Sequence, residues 1–377
     1  MRTMAESHPA EPIGPGQFFW LHAASMVGGG VYLWPGPLLA AAGPDAWWAF
    51  LVTVLGVAGV TYLRFAWIGY LRSASLPDLL MRTWGRALTW VLLTGITVVA
   101  LASAAMLLAL FGQMLQTFFY PLTPIGVLEG VTLGEAYLLS RQSLAVMARN
   151  VTFWLPLVMG SALFLIILAA RNVQDTAALA PAWPPGTEPV LTGVAWTWFL
   201  WMQCEVSAAL VPHVRGASLA RLRWLAIGSE LFEGLLLGLL LASVLGDLGP
   251  QAARALRWPT VYLFSNLTIH TFLITRVGVF VLFAWVVSMV TFLAMYLFLF
   301  GWHWQLQLGL DNHGRRVLTG GLGAALLAAA VLLDRDHLVV LLLTRVVSPL
   351  CLVMTGLLVP ASLLRTAWRA RRWAVPA

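Results

Sequence analysis

The chain has 377 residues, 60% of them hydrophobic and only 10% charged, with a mean hydropathy of +0.85. Globular domains carry about 25% charged residues, so a soluble protein of this size is excluded. The net charge of +7 comes from arginine without any lysine; spread over loops between apolar runs, it reads as orientation in a membrane and not as a nucleic-acid surface.

Apolar runs of about 20 residues recur from end to end, continuous and not alternating, which predicts membrane-spanning helices and not a β-barrel. The N-terminal stretch 1–16 has no basic region leading into a short apolar core, so it does not read as a cleaved signal peptide. Ten spans follow: 17–41, 46–70, 87–117, 124–140, 147–170, 190–213, 221–245, 271–299, 316–333 and 337–364. The fourth is short and carries Glu129 and Glu135. The proline-rich, polar stretch 171–189 is a loop, and 246–270 is expected to fold back on the outer face as short helices. The resulting division is a cytoplasmic segment 1–16, a first five-helix unit 17–170, an outer loop 171–189, a second unit 190–364 and a basic tail 365–377.

With the N-terminus in the cytoplasm, the outer side holds only Arg171, Arg254, Arg257, Arg276 and Arg335, and Arg345 lies inside a span. The remaining arginines, Arg64 among them, fall inside, which is the positive-inside bias. An even number of spans then returns the C-terminus to the cytoplasm, where "RTAWRARRW" is a stop-transfer anchor or a site for anionic lipid or a partner.

The first span contains "SMVGGGVYLWPGP", Ser25 to Pro37. Glycine costs roughly 1 kcal/mol and proline about 3 in a helix interior relative to alanine. Gly28, Gly29 and Gly30 therefore either let another helix approach closely or mark a break whose freed backbone groups bind a ligand. Pro35 favours a second half starting near Val31, whose N–H groups suit a carboxylate. Broken helices of transporters occur in pairs at matching positions of two inverted halves. Five spans on from the first, the middle of span 6 carries Gln203, Cys204 and Glu205, and an acid at mid-membrane is a functional candidate by default.

These residues resemble the spore germination B-subunit permeases, a family of the amino acid–polyamine–organocation transporter superfamily. Gly28, Gly30, Val31 and Pro35 match its first-helix motif, and Gly43, Asp45 and Trp47 the turn that follows. Glu205 with Pro212 matches span 6; Trp258, Pro259 and Thr260 match the stretch before span 8, and Arg276 the family arginine. Gln203 stands where the family commonly has glycine, and Thr275 and Gly278 where it tends to have acids. The resemblance implies an all-α membrane protein of ten transmembrane helices in two inverted five-helix repeats, the leucine-symporter-like fold with broken helices 1 and 6. It implies a site where helices 1, 3, 6 and 8 cross. It also implies the membrane subunit of a germinant receptor in the bacterial inner membrane of the spore. Such a subunit recognises a small nutrient, often an amino acid, together with another membrane subunit and a lipoprotein. A secondary amino acid transporter, proton- or ion-coupled, is the alternative.

The candidate ligand-binding residues are Ser25, Val27, Gly28, Gly29, Gly30, Val31, Gln203, Cys204 and Glu205. A ligand carboxylate would meet the N–H groups around Gly29 to Val31, and its amine the carbonyls of the break or Glu205. Glu230 and Glu233, three apart on one helix face, form a possible gate or ion path with Arg276, or face other helices. His22 reads as a packed histidine in preference to a proton relay. The tryptophans, among them Trp34, Trp47, Trp48 and Trp258, suit interfacial belts. Cys204 and Cys351 lie in separate apolar runs, so neither a disulfide nor a zinc site is expected. With no catalytic set, metal-spaced cluster or phosphate loop, the expectation is a non-enzyme without cofactor or nucleic-acid partner.

Overall fold

The computed structural model describes residues 12–28, 30–71, 75–171, 173, 176, 179–267, 278–333 and 338–373, without the side chains of Val27, 202–205, 278–281 and 370–373. The predicted first span is α1 (Pro15–Val27), a single 3₁₀ turn at Val31–Leu33, and α2 (Gly36–Ala42). A turn at Gly43–Asp45 leads into α3 (Ala46–Leu71), 26 residues long. At 1.5 Å per residue this is about 39 Å, more than the ~30 Å of a hydrocarbon core. There follow α4 (Leu76–Trp84), α5 (Arg86–Phe118), α6 (Ile125–Ser140) and α7 (Leu144–Ala170).

The predicted sixth span is α8 (Thr187–Thr197), a 3₁₀ stretch at Trp198–Glu205, and α9 (Val206–Leu210). Next come α10 (Leu219–Ala255), bent at Gly249, whose φ is 74°, and α11 (Pro259–Ser265), the short helices expected of 246–270. Last are α12 (Gly278–Leu308), α13 (Asn312–Leu333) and α14 (Leu338–Leu342), α15 (Ser348–Cys351) and α16 (Leu358–Trp373), the last three joined through π-helical turns at Leu343–Val347 and Leu352–Leu357.

Among the described residues there is no β-strand, and eight helical stretches are long and apolar enough to cross a membrane. The chain is a multi-pass, all-helical membrane protein. Two of the ten predicted spans fall short for a physical reason. The first is divided into pieces of 13 and 7 residues, and α6 has only 16, below the roughly 20 of a lone span.

Helix starts follow capping chemistry. Ser75, Ser143 and Ser218 each accept a hydrogen bond from the N–H three residues on, opening α4, α7 and α10. The two ends of the described chain are held by hydrogen bonds. Ile13 N–H donates to His213 O (3.0 Å), and Arg215 N–H to Ile13 O (3.1 Å), so the start of α1 lies beside the end of the sixth span. At the other end α16 continues helically past residue 365, and Arg365 and Arg369 donate to Thr83 O at 3.0 and 2.9 Å. The basic segment thus satisfies carbonyls at the C-terminus of α4, where cations are favoured.

Three residues lie deep in the packing. Arg64, counted on the inner side, lies within α3, 1% exposed. Glu129, carried by the predicted fourth span, is buried in α6 against Gly112 of α5. Trp34 is not interfacial; it is buried, with its indole N–H donating to Leu237 O of α10 (2.9 Å).

Candidate functional site

The glycine run does both things the sequence left open, at different residues. Gly28 ends α1 where that helix meets α12: a Cβ there would lie 2.3 Å from Ser288 O and from Phe292 Cβ. Only glycine permits that approach. Gly30 carries the break, with φ 126°, outside the range of ordinary L-residues. A Cβ on it would meet Phe199 at 3.0 Å, and Leu107 and Leu200 at 3.1 Å. Gly29 lies outside the described residues.

Beyond the break the chain makes one 3₁₀ turn and only then re-enters an α-helix at Gly36, with Pro37 in its first turn. The second half therefore starts five residues later than predicted, and Pro37, not Pro35, takes the early helical position. Side chains hold this segment. Tyr32 OH donates to Leu107 O of α5 (2.5 Å), and Thr260 Oγ1 of α11 donates to Trp34 O.

Span 6 leaves α geometry by tightening, not by unwinding. Its 3₁₀ stretch runs for eight residues, where more than three or four is uncommon. The departure is stabilised from α15. Ser348 Oγ donates to Ala195 O (2.6 Å) and accepts from Phe199 N–H (3.0 Å), occupying the place of an α-helical bond between those two groups. Trp198 Nε1–H donates to Thr355 Oγ1 in the second π-helical turn (2.6 Å). Gln203, Cys204 and Glu205 belong to the end of this stretch; their side chains lie outside the described residues.

The two irregular segments face each other across a cavity of about 60 Å³. Met26 and Val31 line it from span 1, and Leu200 and Trp201 from span 6. Met159 and Ile166 of α7 and Leu237 of α10 complete an apolar wall, broken among the described residues by the Glu233 carboxyl alone. The enclosing elements are thus spans 1, 5, 6 and 7. Of the expected crossing of helices 1, 3, 6 and 8, α5 and α12 supply packing against Gly30 and Gly28.

A polar cluster lies deeper along α1. His22, fully buried, contacts Ser229 Oγ through Nδ1 and Ser207 Oγ through Nε2, both at 2.8 Å. Ser229 donates its own proton to Ala226 O (2.8 Å), so it accepts from Nδ1–H, and Nε2 accepts from Ser207. Glu230 Oε1 sits 4.0 Å from His22 Nε2 and accepts a 2.5 Å hydrogen bond from Thr61 Oγ1. Arg64 is within electrostatic range of His22 and Glu230.

Of the residues chosen from sequence, Val31 lines the cavity and Gly30 packs beside it, on Leu200. Val27 ends α1, with its side chain outside the described residues. Ser25 is buried and donates back to His22 O (2.6 Å), so its hydroxyl is already used. Glu230 and Glu233 part company: the first joins the histidine cluster, the second the cavity. Arg276 lies outside the described residues. Thr61, Ser207, Ser229 and Trp201 were not singled out, and nothing in their local sequence distinguishes them from packing residues. Arg64 was legible as an arginine within an apolar run, but its nearness to the end of that run made it look interfacial.

The backbone is similar to two solved transporters. One is a Na⁺-coupled sialic acid symporter in a substrate-bound outward-open state, with TM-score 0.68, 12% identity, and 95% of this chain and 81% of that one covered. The other is MhsT in complex with L-phenylalanine, with TM-score 0.66, 12% identity, and coverage of 93% and 87%. No curated protein sequence matches the chain. At such identities the likeness speaks for the fold, which is that of these symporters. The sequence itself matches the family of spore germination proteins, the spore permeases, over residues 12–335. An all-helical, multi-pass chain with symporter architecture and that match across most of its length is a permease-like membrane protein, and it belongs to the spore germination protein family.

Proposed function

We propose that this chain is the membrane subunit of a spore nutrient-germinant receptor, which binds a small molecule, an amino acid by this reading, and triggers germination. One observation carries it: the breaks in spans 1 and 6 face one another across a cavity with the Glu233 carboxyl in its wall. Irregular backbone at membrane depth is tolerated where it is buried in protein or lines a cavity. Family membership supports the germination role, and the L-phenylalanine complex of a structural neighbour supports an amino acid ligand. The partners in this reading are a second membrane subunit and a lipoprotein.

The same proposal takes the architecture as ten spans in two inverted five-helix repeats, in the inner membrane of the spore, with both termini cytoplasmic. The Ile13–Val214 bridge supports it, since six crossings between those residues return the chain to the same face. To signal, the ligand must prefer one conformation, because equal affinity for two states shifts nothing.

A secondary transporter, proton- or ion-coupled, is the second reading, favoured by the likeness to a Na⁺-coupled symporter. Purified chain in liposomes, assayed for L-leucine binding and for uptake under imposed ion gradients, separates the two. Binding without accumulation is expected of the receptor; gradient-driven accumulation by this chain alone overturns it in favour of transport.

A further inference from the structure

Glu233 stands in the cavity wall, 4% exposed, and its Oε1 has no hydrogen-bond partner among the described residues. Every other lining group among the described residues is an apolar side chain or the ring of Trp201. Buried carboxyls are ordinarily paired, because an unpaired one forfeits its hydration without return. Among the described residues no basic side chain lines the cavity, and Glu230, one turn away on the same face of α10, adds a second acid and not a counter-charge. A donor brought by a ligand would complete the Glu233 pairing.

Resting on the cavity as the ligand site, we infer that Glu233 is the counter-ion of that site, and that the site takes the ammonium group of a small aliphatic amine. The ammonium donates to Oε1 and lies within reach of the Trp201 face, an arrangement that attracts cations. The aliphatic part of the ligand packs on Met26, Val31, Met159 and Leu237. About 60 Å³ is roughly two water volumes, room for a compact head group and a short chain. A carboxylate on the ligand finds no charge partner in this wall, so the amine, not the acid, sets recognition.

The test is calorimetry on the full chain in lipid nanodiscs, with ethylamine, ethanol and propanoate as probes of one aliphatic body and three head groups. The wild-type protein should bind the amine, bind the alcohol more weakly, and not bind the acid. Glu233→Gln should weaken the amine at least about tenfold and leave the alcohol unchanged, which also reports that the variant is folded. Glu233→Asp should recover part of the loss. Equal wild-type affinities for amine and alcohol overturn the inference without any substitution being made, as does amine binding indifferent to Glu233→Gln. Ala162→Phe, which fills the cavity from α7, distinguishes the two levels. If it abolishes amine binding that Glu233→Gln leaves intact, the cavity stands and the counter-ion falls. If neither substitution affects the amine, or no probe binds at all, both fall.

Discussion

Ser348 stands between Ala195 and Phe199. Its hydroxyl donates to the Ala195 carbonyl at 2.6 Å and accepts from the Phe199 N–H at 3.0 Å, so a side chain from α15 takes the place of one α-helical bond in span 6. Ser348 follows a π-helical turn, a distortion that often accompanies functional sites. Irregularity in one helix is thus satisfied by irregularity in its neighbour.

Ser348→Ala removes both bonds. Two buried backbone groups are left to pair with each other or to go unsatisfied, at about 1–3 kcal/mol each. The expected outcome is a lower unfolding temperature in detergent, together with altered ligand affinity as the start of the 3₁₀ stretch shifts. Native melting and native affinity in this variant would show that the hydroxyl does not hold span 6 open.

Gly28→Ala puts a methyl 2.3 Å from the Ser288 carbonyl and drives α1 away from α12. Overpacking of this kind costs about 1–3 kcal/mol, and here the obstacle includes backbone. Gly59→Ala in α3, where nothing lies within 4 Å, is the control and is expected to be neutral or slightly stabilising. Fluorescence-detected size exclusion after graded heating compares the two; equal curves would remove the packing role of Gly28.

Thr61→Val deletes the hydrogen bond to Glu230 Oε1 and leaves a fully buried carboxyl without it. The loss is expected at about 1–3 kcal/mol, and Thr61→Ser should restore it. His22→Ala similarly strands Ser207, whereas Ser229 keeps its bond to Ala226 O. A double-mutant cycle on unfolding midpoints should give non-additive losses for Thr61 and His22, since both act on the same cluster.

Arg365 and Arg369 converge on Thr83 O at the end of α4. Replacing both with alanine should cost about 1 kcal/mol, the scale of a helix C-terminal cation. Hydrogen exchange reads it directly, as faster exchange through residues 81–85 with the rest of the chain unchanged. Unaltered exchange there would return the tail to the role of a simple membrane anchor.

The amino-acid sequence by itself determined class and punctuation. Apolar runs of span length leave no other class, because only closed hydrogen bonding survives in hydrocarbon. The prolines after the glycine run interrupt span 1 wherever that span sits, because a fixed φ and a missing N–H group are local properties. The resemblance in "VGGGVYLWP" and around Pro259 led to the right family for the same reason: motifs are local. What tertiary structure decided were the partnerships. Gly28 packs while Gly30 breaks, because α12 happens to lie against one and not the other. Glu230 and Glu233 share a face, yet one meets Thr61 and the other a cavity, since their surroundings come from other helices distant in sequence. Span 6 leaves α geometry without the glycine expected there, because its released bond is satisfied by Ser348, 149 residues further on. Periodicity and composition report what a residue is and which face it shares; they carry no information about which distant side chain completes its hydrogen bonds, and in this protein that completion builds the site.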